Sequence, residues 1–221
     1  MIQHGLGRIP SQFDARDFNL SAFIPKFKLT LITEKAWEFP LAPLDQGNTP
    51  HCCGFSIANF LINYPVTSIQ TNANGDAYYY ACKTIDKESK KENGSSIRSV
   101  ARLLTSLGRI KYYAFAYDLA TVKWWLLNRS PLIVGTIWLD GMNTPDKNNI
   151  IIPIGNLVGG HAYLLNEWRK DNMIGIQNSW GDSWGNHGKA YISASNFERL
   201  LRSGGEVMAA VEISQVKKQG R

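Results

Sequence analysis

The sequence predicts an α+β chain, with helices in its first half and antiparallel strands in its second. Apolar residues recur at helical spacing as far as about residue 128, and from residue 131 the apolar runs become short and β-branched. The length of 221 residues fits one large domain or two lobes that share a cleft. We therefore expect a helical lobe at about 45–128 and a strand-rich lobe at about 129–221.

Ahead of these lobes, residues 1–36 are expected to form an arm that packs on the body, and the main domain then spans 37–221. Prolines at positions 10, 25, 40 and 43 interrupt this region and favour an extended chain. One short strand is expected at 27–33. The stretch is too short for a long removable pro-segment, so none is expected.

Four helices are predicted from their start and stop signals. In the first, Thr49 is a suitable N-cap and Pro50 suits the first turn. Gly108 closes the third helix, and Asp118 caps the fourth. The four predicted helices lie at about 50–64, 76–84, 97–107 and 119–127.

Five strands are predicted after the change of period. Two of them form a hairpin around the polar turn at 169–172. If the chain turns at Arg169-Lys170, residues whose numbers sum to about 339 are paired. This register places His161 opposite Asn178. The predicted strands lie at 131–139, 162–168, 173–177, 189–193 and 207–213.

Charge and composition make several classes of protein improbable for this sequence. The net charge of +6, from 24 basic and 18 acidic residues, is scattered, so we expect no nucleic-acid partner. No apolar run is long enough for a membrane helix, and no signal peptide is visible, so a cytoplasmic protein without membrane insertion is expected. The three cysteines, two of them adjacent, form a poor disulfide framework, and no zinc-ligand spacing occurs. We expect neither a metal nor a cofactor.

Cys52 is the candidate nucleophile. In the first turn of the first helix, unpaired backbone N–H groups and the helix dipole favour the thiolate form. Cys53 is its competitor, about 100° further around the helix, so only one of the two faces a given cleft. The alternative for a single cysteine is that it fills the core as a small apolar residue.

A thiolate nucleophile needs a base, and the base needs a group that orients it. His161 follows two glycines at the mouth of a predicted strand, where Asn178 is expected to accept a hydrogen bond from its ring. Gln46, six residues before Cys52, is placed to donate to a developing oxyanion together with the Cys52 N–H.

Three separated motifs resemble papain-like cysteine peptidases. Residues 44–56 (Leu-Asp-Gln-Gly-Asn-Thr-Pro-His-Cys-Cys-Gly-Phe-Ser) are similar to the segment that bears the catalytic cysteine in that family. Residues 160–162 (Gly-His-Ala) resemble its catalytic-histidine segment, and residues 178–181 (Asn-Ser-Trp-Gly) resemble the segment of its third catalytic residue. The resemblance runs from about residue 37 to the C-terminus, and it implies the two-lobe papain-like fold with an active-site cleft between the lobes.

The resemblance also implies roles for single residues. It assigns catalysis to Cys52, His161, Asn178 and Gln46, and the register follows from the Gln46 interval and the Phe-Ser that comes after. Residues similar to the family's substrate-binding edges are Gly94, Ser95, Gly160 and Trp180. In its shortness the chain resembles the short bacterial and phage peptidases.

Three departures from the family pattern qualify the resemblance. Cys53 stands where the family usually has tryptophan, and Thr49 stands where it has a disulfide-forming cysteine. The third departure is the missing long pro-segment, which leaves the arm without an assigned role.

The implied function is hydrolysis of peptide or protein substrates. The alternatives are a catalytically idle structural protein of this fold, such as a phage virion component, and acyl transfer or isopeptide cleavage by the same site.

Overall fold

The computed structural model describes residues 4–26, 31–38, 40–87 and 93–213. Within these ranges the chain forms five α-helices and seven β-strands. The helices are α1 (Cys52–Ile62), α2 (Asn72–Ile85), α3 (Ile97–Ser106), α4 (Leu119–Asn128) and α5 (Ala194–Arg202). The strands are β1 (Lys35–Ala36), β2 (Tyr113–Ala116), β3 (Leu132–Leu139), β4 (Leu157–Trp168), β5 (Met173–Gln177), β6 (Lys189–Ser193) and β7 (Glu206–Ala210).

The strands form a single antiparallel sheet. Its order is β2-β7-β3-β4-β5-β6, and the short β1 pairs with the far end of β4. The ladder between β3 and β4 runs from Leu132↔Leu165 to Leu139↔Leu157 and puts His161 opposite Thr136. The candidate base therefore lies on a central strand.

Helices cover both faces of this sheet, because side chains alternate between the faces along each strand. On one face Ile133, Leu164 and Met208 pack against α1, α2 and α3. On the other face Val134 and Tyr163 pack with α4 and α5. β2 and α4 lie before residue 129, in the part of the chain predicted to be the helical lobe, but both pack with the sheet.

The predicted α+β class is confirmed, and several boundaries differ. α1 begins at Cys52 because the Thr49 hydroxyl donates to Gln46 O, at 2.7 Å, and does not cap the helix. α2 begins at Asn72, earlier than predicted, because Thr71 and Asn74 form a capping box. The predicted cap of α4 is correct, since Asp118 accepts from Thr121 N at 2.7 Å.

The strands also differ in part from the prediction. β4 starts at Leu157, five residues before the predicted start, and both β2 and α5 were missed. Of the strand predicted at 27–33, residues 27–30 lie outside the described ranges, and residues 31–33 are not in a strand. No helix in the described part of the chain is long and apolar enough to cross a membrane.

Candidate active site

Cys52 is the first residue of α1. The helix is preceded by a tight turn, in which Thr49 N donates to Gln46 O at 3.2 Å. The N-cap position is His51, whose side chain makes no capping hydrogen bond. Backbone N–H groups of the first helical turn have no partner within the helix, so the local field favours negative charge at Cys52.

The two adjacent thiols have opposite electrostatic environments, although both are completely buried. Burial raises the pKa of the Cys52 thiol, but the adjacent Cys53 thiol and the nearby His161 ring with its charge outweigh it. The pKa of Cys52 therefore lies well below its usual value. The pKa of Cys53 is raised well above its usual value by its hydrogen bond to Cys52 and by burial.

Cys53 thus acts as a donor. Its Sγ donates to the carbonyl oxygen of Ser95 at 3.1 Å, and its position beside Cys52 lowers the pKa of that thiol. Cys53, the competing candidate in the sequence, therefore keeps its proton, while Cys52 has the environment of a nucleophile.

His161 is fully buried and is oriented through one ring nitrogen. Its Nε2 lies 2.7 Å from Oδ1 of Asn178. Its Nδ1 forms no hydrogen bond of ordinary geometry within the described residues, and the ring acts on the Cys52 thiol through proximity and charge. A donor N–H at Nε2 fixes the tautomer and leaves Nδ1 to exchange a proton.

The hairpin register that predicted this contact is wrong by two residues or more. β4 and β5 pair Leu164 with Gln177, so paired numbers sum to 341, and a bulge follows between Leu165 and Glu167. Asn178 lies just beyond the end of β5. Its side chain nevertheless reaches His161, since the contact does not depend on the ladder.

Two tryptophans enclose this histidine. The Trp180 ring lies 4.7 Å from the His161 ring, centroid to centroid, and the Trp138 ring lies 4.8 Å from it. Both indoles are buried and exclude water from the His161–Asn178 hydrogen bond. Trp138 was missed in the sequence, because a tryptophan in an apolar strand has the pattern of an ordinary core residue. The outer face of Trp180 is stacked by His4 at 4.3 Å.

Gln46 is held close to this group by the residue after Asn178. Its Oε1 accepts from Ser179 Oγ at 2.6 Å, which fixes the amide orientation. Its Nε2 donates to Thr49 O at 2.8 Å and to Gly5 O at 3.1 Å. One amide hydrogen of Gln46 therefore bonds Thr49 O within the body, and the other bonds Gly5 O of the arm.

The start of the arm lies in the cleft between the candidate catalytic residues and the edge at Ser95. We call residues 4–9 the cleft segment. Gly7 N and Arg8 N both donate to Gly160 O, at 3.1 and 3.0 Å, and Ser95 N donates to Gly7 O at 2.9 Å. Arg8 and Ser95 form a parallel bridge. The sequence predicted that the arm packs on the body, but it gave no indication of this position.

The predicted glycine edge has support from a buried lysine. Gly94 has φ of +105°, a conformation that favours glycine. Its carbonyl accepts from Lys83 Nζ at 2.9 Å, and its N–H donates to the Tyr79 hydroxyl at 3.1 Å. Ser95, the next residue, has a buried hydroxyl with no partner within the described residues. Neither Lys83 nor Tyr79 was singled out in the sequence, where they resemble ordinary residues of α2.

The described cysteines and acidic residues form neither a disulfide nor a metal-binding cluster. All three cysteines lie within the described ranges, and none is in a disulfide. Nowhere in the described part of the chain do three His, Cys, Asp or Glu side chains cluster to hold a metal ion.

The chain has the fold of the papain-like cysteine proteases. Xylellain, a cysteine protease from Xylella fastidiosa, aligns over 97% of this chain and 97% of its own, with a TM-score of 0.74 and 19% identity. Procathepsin B S9 from Trypanosoma congolense aligns over 96% and 87%, with a TM-score of 0.63 and 11% identity. Bromelain from Ananas comosus aligns over 83% and 99%, with a TM-score of 0.56 and 12% identity. No protein-family model and no curated protein matches the sequence.

Proposed function

We propose that the chain is a cysteine peptidase that hydrolyses peptide bonds in peptide or protein substrates. The observation that carries this proposal is the environment of Cys52, whose pKa is lowered despite complete burial. The thiolate is the reactive form of cysteine. The polar groups around Cys52 favour that form, whereas a cysteine that only fills a core has a raised pKa.

In the acylation step, the Cys52 thiolate attacks the carbonyl carbon of the substrate, and the electron pair of the C=O bond moves to oxygen. Gln46 Nε2 and the Cys52 N–H donate to this oxyanion. Protonated His161 gives its proton to the leaving amine as the C–N bond breaks. The products of the step are a free amine and a thioester on Cys52.

In the deacylation step, neutral His161 takes a proton from a water molecule, which attacks the thioester carbon. The C–S bond then breaks, the carboxylic acid leaves, and the thiolate of Cys52 is restored beside a protonated His161. Asn178 accepts from Nε2 throughout, at 2.7 Å in the resting site, and keeps the ring in one orientation.

The cleft segment must leave before this cycle begins. Gly5 O takes the Gln46 hydrogen that the oxyanion needs, at 3.1 Å. We propose that a substrate backbone then uses the positions that the segment vacates, at Gly94, Ser95 and Gly160. The hydrogen bonds of Ser95 and Gly160 to the arm support this, because they are made to peptide groups and not to side chains.

The function is tested by labelling with an irreversible epoxide of the thiol-peptidase type, with the modified residue mapped by mass spectrometry. We expect modification at Cys52, loss of peptide turnover in step with labelling, and no turnover by Cys52→Ala. Cys53→Ala is the matched control, because it removes a thiol from the same turn of helix. Labelling at Cys53 alone would contradict the assignment.

One alternative is supported by a specific observation. A cleft filled by its own chain fits a catalytically idle protein of this fold, including a structural component of a phage particle. An idle protein would show neither labelling of Cys52 nor turnover under reducing conditions, even when the cleft segment is weakened as described below. Either labelling or turnover excludes this alternative.

A further inference from the structure

Four buried amide side chains lie between α1 and the sheet, and none of them is more than 5% exposed. One belongs to α1, one to the residue that ends this helix, one to β4, and one to the last position of β5. We call this group the amide cluster: Asn59, Asn63, Asn166 and Gln177. None of its buried side-chain nitrogen or oxygen atoms lacks a hydrogen-bond partner within the described residues.

The hydrogen bonds of the amide cluster cross from the helix to the sheet. Gln177 Oε1 accepts from Nδ2 of Asn63 at 2.6 Å and from Nδ2 of Asn166 at 3.2 Å. Gln177 Nε2 donates to Asn59 Oδ1 at 3.3 Å. Asn166 Nδ2 also donates to Asn63 Oδ1 at 3.2 Å. Each amide is therefore bonded to at least one amide of the opposite layer.

A β-bulge brings Asn166 into this group. The register of β4 against β5 shifts between Leu165 and Glu167, and Asn166 has no partner in that ladder. A bulge changes the direction of a side chain relative to the regular alternation of a strand. The Asn166 amide thereby reaches Asn63 at the end of α1. The sheet is thus irregular at the point where the amide cluster contacts the helix.

The amide cluster adjoins candidate catalytic residues on both sides. Asn59 follows Cys52 by seven residues, about two turns of helix, so the two residues lie on the same side of α1. Gln177 directly precedes Asn178, whose Oδ1 lies 2.7 Å from His161 Nε2. Asn59 Nδ2 also donates to the backbone carbonyl of Asn178 at 3.4 Å. One set of hydrogen bonds therefore joins the helix that carries the candidate nucleophile to the segment that orients the candidate base.

Hydrogen bonds fix a separation in a way that apolar packing does not. The burial of apolar surface is non-directional, and an apolar core loses its unique packing before it loses stability. A hydrogen bond instead has a narrow range of lengths and angles. Replacing both partners with apolar groups of the same shape leaves stability nearly unchanged in many cases. The main effect of the amide cluster is therefore expected on geometry.

From these contacts we propose that the amide cluster positions the reacting groups: it sets the register of α1 against β5, and thereby the distance between the Cys52 thiol and His161. The inference rests on the proposed peptidase function. Because all four side chains are buried, they act through Cys52 and Asn178 and not on the substrate. A misplacement of about 1 Å between reacting groups is enough to lower a rate about 100-fold.

The test replaces the whole cluster with apolar side chains of similar size. The quadruple variant combines Asn59→Leu, Asn63→Leu, Asn166→Leu and Gln177→Met. We expect it to melt close to the wild type, because the amides are removed together, whereas its kcat/KM should fall about 10- to 100-fold. Gln177→Met alone should melt at a lower temperature, because it leaves the other three amides without a partner. If the cluster only stabilised the fold, activity would return in the quadruple variant together with stability.

The ionisation of Cys52 is a second readout, which a merely stabilising cluster would not change. It is followed by the ultraviolet absorbance of the thiolate, as the difference from the same variant with Cys52→Ala, so it needs no substrate. The nearby His161 helps to hold the pKa of Cys52 well below its usual value. A larger separation should raise this pKa, and the thiolate should then form about one pH unit higher. The other titratable groups near Cys52 or His161 are Cys53, Tyr79 and His4, and no variant changes them.

Ser130→Ala is the matched control. The Ser130 hydroxyl accepts from Trp125 Nε1 at 3.1 Å, and both residues are buried, so this change also leaves a buried donor unpaired. Ser130 lies in the connection from α4 to β3, outside the amide cluster. The control should melt at a lower temperature, as unpaired buried donors destabilise a fold. Its kcat/KM should stay within about twofold of the wild type, and its thiolate titration should not move.

The outcomes separate this inference from the function on which it rests. Wild-type kinetics and a wild-type thiolate titration in the folded quadruple variant overturn the positioning role and leave the peptidase intact. If the quadruple variant does not fold, Gln177→Met decides, measured well below its melting temperature, and an unchanged titration overturns the inference. If the wild type cleaves no peptide and the epoxide leaves Cys52 unlabelled, the proposed function fails. The titration then still decides whether the amide cluster sets the distance between the thiol and the ring.

Discussion

Replacing Arg8 with alanine should open the cleft. Its side chain is the one charged anchor of the cleft segment in the body, and it is 3% exposed beside a Glu206 side chain that is 17% exposed. The other hydrogen bonds of the segment use its backbone groups, which exchange readily with water when the segment leaves. We expect Arg8→Ala to increase the fraction of molecules in which Cys52 is accessible.

The magnitude follows from the hydrogen bonds lost. Hydrogen bonds to charged groups contribute about 1.5–3 kcal/mol net. Both Arg8 and Glu206 are hydrated in the open state, so the cost of an unpaired buried charge does not arise there. A loss of about 2 kcal/mol in docking free energy, at about 1.4 kcal/mol per factor of ten, corresponds to a roughly 30-fold larger open population.

The assay is the rate at which the epoxide labels Cys52 under reducing conditions, followed by intact-protein mass spectrometry. While the closed state dominates, this rate is proportional to the open population, so it should rise by the same roughly 30-fold. Arg16→Ala is the matched control: that side chain is 84% exposed and pairs with Asp14 on the same arm. Such a surface pair contributes little, and its rate should stay within about twofold of the wild type. Equal rates for the two variants would refute arm control of the cleft.

Local signals in the sequence predicted the candidate catalytic residues. Cys52 was predicted from a turn followed by a helix start, and Gln46 from its interval to Cys52. The Asn178–His161 contact was predicted through a register that is itself wrong, because the hairpin turns further along the chain than Arg169 and Lys170: Arg169 N donates to Met173 O, and Trp168 pairs with Ile174. The end of β5 fell where the sequence indicated, and this was enough to bring Asn178 near the ring.

Two local elements were available to the sequence and were missed. α5 has Ser193 as its cap, and Phe197 and Leu200 recur at helical spacing on its buried face. β2 is only four residues long and pairs with β7, far along the chain. A strand this short carries too little alternation to be distinguished from a loop.

The position of the arm could not be predicted from local sequence signals, because only contacts between residues far apart in the chain define it. Arg8 pairs with Glu206 across 198 positions, and neither residue stands in a pattern that marks its partner. In the sequence both residues resemble solvated surface charges. The cleft segment also has no regular secondary structure, so hydrophobic periodicity carries no information about it.

The remaining predictions concern the candidate catalytic residues. Trp180→Ala should lower stability by about 3–5 kcal/mol and also reduce turnover, since the indole fills the core beside His161; denaturant titration and kinetics measure the two effects. Asn178→Ala should reduce kcat/KM by about 10- to 100-fold without unfolding the protein, and undiminished turnover would remove Asn178 from the mechanism. Cys52→Ala should abolish turnover, whereas Cys53→Ala should retain most of it at neutral pH; the reverse result, in folded proteins, would shift the nucleophile by one residue.

The pH profile of Cys53→Ala tests whether Cys53 stabilises the thiolate of Cys52. The Cys53 thiol beside Cys52 helps to hold the pKa of Cys52 well below its usual value, so removing that thiol should raise this pKa. Activity that depends on the thiolate is lost as the pH falls through the pKa of Cys52, and the acid limb of kcat/KM should therefore move to higher pH. Alkylation rates of Cys52 as a function of pH measure the same shift without substrate. A limb that stays in place or moves to lower pH in the variant would show that Cys53 does not stabilise the nucleophile.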